Sequence, residues 1–257
     1  MASNSAVKPL LPVKLQDDVR YASGVRAGRW IFATGQKATG RVVDPAAPRF
    51  GLPKHKLEAQ RIFANLDKVL EAGGSDRRHV VRIDQYYTAA RAVDPYHEVR
   101  REFFAGHIPP STSNLHQRFL LDGQDIEVQV IAVVGIDPVQ HRPAHLPVHA
   151  TSGYSPVLTC GDFVFVAGQT AEALKTAEGP LDPEARMPAG HLWKGTPIKL
   201  ETEFIISRKL KPALETVGNT LAEVVKAQVY LRDVDDIPAF NEVWAKHFGA
   251  NLPATSI

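Results

Sequence analysis

The chain has 257 residues, 44% of them hydrophobic, 8% aromatic and 23% charged, with a net charge of +2. That length suits one large domain or two ordinary ones with real cores. The near-neutral charge gives no handle for nucleic acid or an anionic membrane, no apolar run is long enough to span a bilayer, and the lone Cys160 excludes an internal disulfide.

In chain order, residues 1–19 form a polar leader, read as a loop or an added edge strand. Gly28, followed by Trp30 and Phe32 at period two, reads as a hairpin turn entering a strand, and residues 25–34 read as the first strand. The glycines and prolines of 35–54 mark a loop, in which 41–43 could pair briefly with that strand. Residues 57–72 carry Ile62, Phe63, Leu66, Val69 and Leu70 on one helical face, with Gly73-Gly74 as the stop. Residues 80–88 alternate as a strand. Asp94-Pro95 reads as a cap and first-turn proline for a helix over 96–105, closed by Gly106. Strands over 112–121 and 126–136 follow, joined by a turn at Asp122-Gly123. Residues 137–150, with three prolines and three histidines, read as an extended spacer. His145 and His149 are four apart, but Pro147 between them argues against a helical zinc site.

The stretch YASGVRAGRWIFATGQ at 21–36 returns as YSPVLTCGDFVFVAGQ at 154–169. In each a Tyr is followed seven residues later by Gly and fourteen later by Gly-Gln. The second Gly marks a place where backbone approaches something closely. Gly28 and Gly161 are 133 apart, whereas Gly74 and Gly218 are 144 apart, so the second loop, 170–197, is eleven residues longer. At the larger offset Val81 meets Val225, Tyr86 meets Tyr230, Phe104 meets Phe248 and Pro109 meets Pro253. The chain is a tandem repeat, with a second-copy strand over 161–167, a helix over 200–216 interrupted by Pro212, a strand over 224–231 and a helix over 237–248. Domain boundaries are expected at 1–137, 138–150 for the linker, and 151–257. Ile257 corresponds to Ser113, so the second copy is expected to lack its last two strands and any counterpart of Glu127.

The Tyr…Gly…Gly-Gln stretch, the helix ending in Gly-Gly, the strand, the helix with Phe103-Phe104 and the Pro-x-x-Ser segment together resemble the reactive intermediate deaminase family (RidA, or YjgF-like). The resemblance implies an α+β fold of two chorismate-mutase-like repeats, each a mixed sheet with two helices on one face. It implies a homotrimer or a hexamer-like assembly, with pockets between subunits and no cofactor or metal. It implies hydrolysis of an enamine or imine to the keto compound and ammonium, in one branch of aminomuconate type from aromatic degradation. A non-catalytic binding protein and a chorismate-lyase-like enzyme are the alternatives. The compartment is expected to be cytoplasmic.

The family's pocket residues carry over as follows. Tyr21 and Tyr154 match its Tyr. Thr34 stands for the Ser of its Ser-Gly pair, with Ala167 in the second copy; Gly35 and Gly168 are the Gly. Asn241 matches the helix Asn, where the first copy has His97. The carboxylate-holding Arg is replaced by Ser111 and Thr255, and Glu127 matches the last-strand Glu. Ser and Thr carry no charge, so the bidentate grip of a guanidinium is lost at that position. From the residues themselves, His97 could serve as an acid/base paired with Glu127 across a cleft, or lie on a helix surface. Glu127, inward on an alternating strand, is catalytic or structural. The tyrosines bind ligand or fill an interface. The Gly35-Gln36 amides meet an anion or simply turn the chain. Ser111 and Thr112 are candidate donors. Cys160 reads as a buried structural thiol, Arg77, Arg78 and Arg82 as a solvated cluster, and Arg100-Arg101 as a solvated helix face or a replacement guanidinium.

Overall fold

The computed structural model describes residues 7–14, 20–38, 53–119, 123–148, 151–172, 180–188, 190 and 196–257. The chain forms two compact units, Met1–His141 with Val148–Gly168, and Arg142–Pro147 with Gln169–Ile257.

The first unit is built on a six-stranded sheet. The strand expected over 25–34 is a hairpin: β2 (Gly24–Ala27) and β3 (Trp30–Ala33) are antiparallel. Gly28 turns between them at φ 59, in the left-handed region. β1 (Lys8–Leu10) pairs with β2 as an edge strand. The pairing considered for 41–43, and Asp122 of the second turn, fall outside the described residues.

The apolar stripe produces α1 (Lys54–Gly73), which buries Ala59, Ile62, Phe63, Leu66, Val69 and Leu70. Gly74, at φ 79, ends it, donating its N–H to Glu71 O at 2.9 Å while Ser75 donates to Leu70 O at 2.9 Å. β4 (Val80–Tyr87) leads to α2 (Val93–Phe104). Asp94 lies inside the first turn of α2 rather than capping it. A 3₁₀ turn at Ala90–Ala92 runs straight into the helix, and Val93 N–H already donates to Ala90 O. β5 (Ser111–Leu115) then pairs parallel with β4, as a strand returning through a helical crossover does. β6 (Ile126–Val133) inserts antiparallel between β3 and β4, giving the order β1-β2-β3-β6-β4-β5.

Both helices cover one face of this sheet. Ile31, Ile83, Ile126, Val128 and Val130 meet Ile62, Phe63, Leu66, Tyr96, Val99 and Phe103 there. The opposite face receives a three-stranded sheet of β7 (Val139–His141), β8 (Val157–Cys160) and β9 (Phe163–Val166). Val81, Val133, Leu158 and Cys160 are buried together there, with Trp30, Ile131 and Phe165 packed around them. β7 corrects the reading of 137–150 as a spacer. Pro138 and Pro143 bracket four residues that keep their amides, and 139–141 of these pair with β8. Gly161, at φ 55, makes the turn between β8 and β9, and β9 is the strand expected over 161–167; its partner β8 precedes the turn. Cys160 is 2% exposed, and burial pushes its thiol pKa up, as a structural cysteine requires.

In the second unit α3 (Pro197–Phe204) passes into a π-helical segment, Ile205–Leu210, and then α4 (Lys211–Glu215). The wider π turn ends where Pro212 enters, so the missing N–H falls in the first turn of α4 instead of breaking an α-helix. α5 (Ile237–Phe248) has the bounds its apolar spacing predicts and buries Phe240, Val243 and Phe248. β10 (Lys226–Gln228) and β11 (Ala254–Ser256) are parallel, as β4 and β5 are. No described helix is long and apolar enough to cross a membrane.

Glu203 joins α3 to α5. Hydrogen bonding from Lys246 (2.9 Å) chiefly holds its carboxyl down at about 2; His247 (3.0 Å) and Ser207 (3.0 Å) add to this against a burial penalty. An unfolded glutamate titrates near 4.5, so this contribution is whole above that pH and is lost as pH falls toward 2. Glu203→Gln is expected to flatten the stability profile between those values. It should cost under about 1 kcal/mol at neutral pH, because the pair is solvent-screened. Parallel acid titrations followed by circular dichroism check this; superimposable curves would contradict it.

Candidate active site

A strand's side chains alternate between faces, and that alternation sorts the first unit's polar residues. On β6, Ile126, Val128 and Val130 face the helices, whereas Glu127 and Gln129 face away. On β4 the outward set is Arg82, Asp84 and Tyr86; on β5 it is Thr112 and Asn114. The register brings Glu127 opposite Tyr86 and Gln129 opposite Asp84, while Tyr86 meets Asn114 and Asp84 meets Thr112. The face opposite the helices thus carries an apolar end beneath β8 and β9 and a polar end on β6, β4 and β5.

The polar end is cross-linked. Gln129 Nε2 donates to Tyr86 Oη at 2.9 Å. Arg82 donates from Nε (3.0 Å) and Nη2 (2.7 Å) to Asp84 Oδ1, from Nη1 to Val166 O at 2.6 Å, and also to Thr112 Oγ1. Glu127 Oε2 is ion-paired with Lys37 Nζ, and the carboxylate remains a quarter exposed, with a side-chain accessibility of 24%.

The two repeated glycines do what close approach demands. A Cβ on Gly35 would lie 2.0 Å from Glu127 Oε1, and one on Gly168 would lie 2.6 Å from Thr112 Oγ1. The first copy's turn rests on Glu127 of its own sheet. The second copy's turn rests on β5, where Gly168 N–H donates to Ser111 O at 3.0 Å, and Ser155 N–H donates to Ile108 O, just before β5, at 2.9 Å. Gly35→Ala is therefore expected to displace the Glu127 side chain, with the fold retained. A crystal structure of the variant and its melting temperature test this, and an unmoved Glu127 side chain would contradict it.

Several sequence expectations change. His97 is 7% exposed on α2, among the helix-side residues beside Tyr96. Glu127 points away from the helices, so the two cannot pair across one cleft of the same sheet. Ser111 and Thr112 face opposite sides of the sheet, so the two candidate donors do not share one site. Gln36 N–H is already bonded to Val128 O at 2.7 Å, and its side-chain amide donates to Ser23 O and Thr34 O, so it is not free for an anion. Thr34 Oγ1 donates to Ala22 O at 2.7 Å, and Tyr21 is 54% exposed near the same turn. Tyr154 packs partly buried against the main core. Asn241 and Thr255 belong to the second unit; both are exposed, and Thr255 Oγ1 donates to Pro253 O at 2.9 Å.

Arg77 and Arg78 are exposed, as a solvated cluster requires, but Arg82 and Arg100 are not. Arg82 is bound into the polar face, a placement that its period-two spacing from Asp84 and Tyr86 signals. Arg100 is fully buried. Its guanidinium donates to Ser111 Oγ at 3.4 Å and to Ser152 O, and lies 5.7 Å from the Tyr96 ring centroid. Among the described residues no carboxylate pairs with it. Lys37 was not singled out in the sequence; its position two residues beyond Gly35 is the available signal.

The family model for Endoribonuclease L-PSP matches the chain twice, over residues 13–134 and 145–257. A RutC family protein from Pyrococcus abyssi is 40% identical over 101 residues, 39% of this chain and 68% of that protein. A 2-iminobutanoate/2-iminopropanoate deaminase from Dermatophagoides farinae is 26% identical over 106 residues, 40% of this chain and 69% of its own. Among solved structures, a YjgF-family member from Neisseria meningitidis aligns at 18% identity over 51% of this chain and 98% of its own, with a TM-score of 0.42.

Proposed function

We propose that this chain, which belongs to the Endoribonuclease L-PSP (RidA/YjgF-like) family, hydrolyses the C=N bond of a small acid-bearing imine, or of the enamine in equilibrium with it. Membership, together with a relative named as an iminobutanoate deaminase, supports imine deamination in general. The observation that carries the reading is Glu127: a part-exposed carboxylate held between Lys37 and the bare backbone of Gly35, with Tyr86 directly opposite.

The chemistry needs little else. Water adds to the imine carbon while Glu127 takes its proton. The C=N π pair moves to nitrogen, which is protonated, and the carbinolamine then expels ammonia as the carbonyl forms. An enamine first accepts a proton at carbon to become the imine. Lys37 orients the carboxylate, and the Tyr86 hydroxyl, which accepts from Gln129 and stands opposite Glu127 in the register, is the donor we assign to the departing nitrogen. No covalent enzyme intermediate is required.

The second copy's turn seats on β5 through Ser111 and Thr112. We assign the same relationship between chains to the Glu127 cleft: an edge of a neighbouring copy closes it, with Tyr21 and Thr34 at the rim. The working protein is then a homo-oligomer, of trimer or hexamer-like order, in the cytoplasm. Aminomuconate-type enamines, which are planar and acidic, fall within this substrate class.

A second reading has its own observation. A buried guanidinium with only neutral partners is costly, and a nearby anion offsets that cost. Arg100 stands behind Ser111, the position where the family carries its arginine, and Asp84 is already held by Arg82. An acidic molecule bound beside Ser111 on the helix side, where Tyr154 also packs, would meet this guanidinium without being hydrolysed, and in that reading the protein is a binding module.

Imines generated in solution from amino acids test the proposal, with keto-acid release followed against the spontaneous rate. Acid-bearing imines should be hydrolysed faster than background and their amide analogues should not. Background rates for every acid-bearing imine, with ligand still bound, would replace the enzyme reading by the binding one.

A further inference from the structure

A buried cluster lies away from this cleft, where α1 meets the start of β6. His55 and Glu58 are three residues apart in the first turns of α1, so their side chains share one helix face. That face meets Asp125, immediately before β6. His55 Nε2 lies 2.9 Å from Asp125 Oδ2, and Lys54 Nζ lies 2.6 Å from the same oxygen. The Thr88 hydroxyl donates to Asp125 Oδ1 at 2.5 Å. Glu58 is fully buried. Its Oε1 accepts from the backbone N–H of Asp125 (2.7 Å) and Ile126 (3.0 Å). Its Oε2 is buried and has no hydrogen-bond partner among the described residues. One donor atom from each of His55, Glu58 and Asp125 lies within 4.8 Å of the other two.

Structural hydrogen bonding accounts for Glu58 Oε1 but not for Oε2. A buried carboxylate oxygen without a partner carries a desolvation cost of roughly 1–3 kcal/mol or more, and native structures leave few such atoms. We propose that His55, Glu58 and Asp125 bind a divalent first-row transition-metal ion such as Zn²⁺ or Mn²⁺, and that the Lys54 ammonium holds the cation position until the metal displaces it.

The donor set selects the ion. One imidazole nitrogen and two carboxylate oxygens suit such an ion better than Ca²⁺, which takes six or more oxygens. Metal–ligand bonds of about 2.0–2.2 Å put tetrahedral ligand atoms roughly 3.3–3.5 Å apart. The widest separation therefore needs to contract by up to about 1.5 Å, within reach of side-chain torsions, while the His55–Asp125 pair, at 2.9 Å, opens slightly. Lys54 is one-third exposed and free to swing outward. Three protein ligands leave a position for water. The ion would pin the start of α1 to β6 two residues before Glu127; hydrolysis itself does not run through it.

Calorimetric titration of chelator-treated full-length protein with ZnCl₂ and MnCl₂, paired with thermal unfolding, tests the site. The expected results are one ion per chain at micromolar Kd or tighter and a raised melting temperature. Affinity should fall at least tenfold in His55→Ala, which leaves Asp125 held by Lys54 and Thr88, and should rise in Lys54→Met. Undiminished binding in His55→Ala would place the ion on other histidines and overturn the proposal. So would the absence of binding in both wild type and Lys54→Met.

Discussion

Glu127→Gln is expected to lower turnover of an acid-bearing imine by about 10²–10⁴-fold, the usual contribution of a positioned general base. The amide has the shape of the carboxylate and still fits against Gly35, but it cannot take a proton from water. The fold should hardly respond. Glu127 is part-exposed, and ion pairs of that kind contribute about 0–1 kcal/mol. Turnover and melting temperature measured on the same preparation separate the two effects. Wild-type turnover in the variant would remove Glu127 from the chemistry. An equal collapse of melting temperature would make its role structural.

The largest stability effect is expected at Phe63. It is 2% exposed, and its ring centroid lies 4.6 Å from Phe103, 5.5 Å from Tyr96 and 6.0 Å from Phe104. One side chain of α1 therefore meets three rings of α2. Phe63→Ala removes its contacts and leaves a cavity that the surrounding rings cannot close, at a cost of about 3–5 kcal/mol. Urea unfolding of the two proteins measures this from the shift in midpoint at constant slope. A loss below about 1 kcal/mol would mean that the helices do not pack on each other as described.

The helices were legible because their signals are local. The stripe from Ile62 to Leu70 with its Gly-Gly stop, and the spacing in 237–248, depend on nothing beyond one turn of chain. The hairpins were partly legible. Gly28 and Gly161 announced hairpin turns, but the strand before each was not separated from the one after it, because alternation continues across a two-residue turn. The tandem repeat and its family resemblance gave the α+β class. Of the candidate site, Glu127 and Gly35 were singled out in the sequence, whereas Lys37 and Tyr86 beside them were not. Which face a side chain takes depends on register with strands far away in sequence, so His97 and Glu127 looked like partners although the sheet separates them. Arg82 and Arg100 looked like surface charge because their partners, Val166 and Ser152, come from the second copy. Residues 139–141 looked like linker because proline content outweighed three amides that find β8.

The central claim is that Glu127 and its setting make this chain a hydrolase of C=N bonds. Its most direct test is the initial rate of keto-acid formation from freshly generated 2-iminopropanoate, with wild-type protein, with Glu127→Gln, and with no protein. The account predicts a wild-type rate well above the spontaneous one and a Gln variant close to it. Three equal rates, on protein shown to be folded, would contradict it.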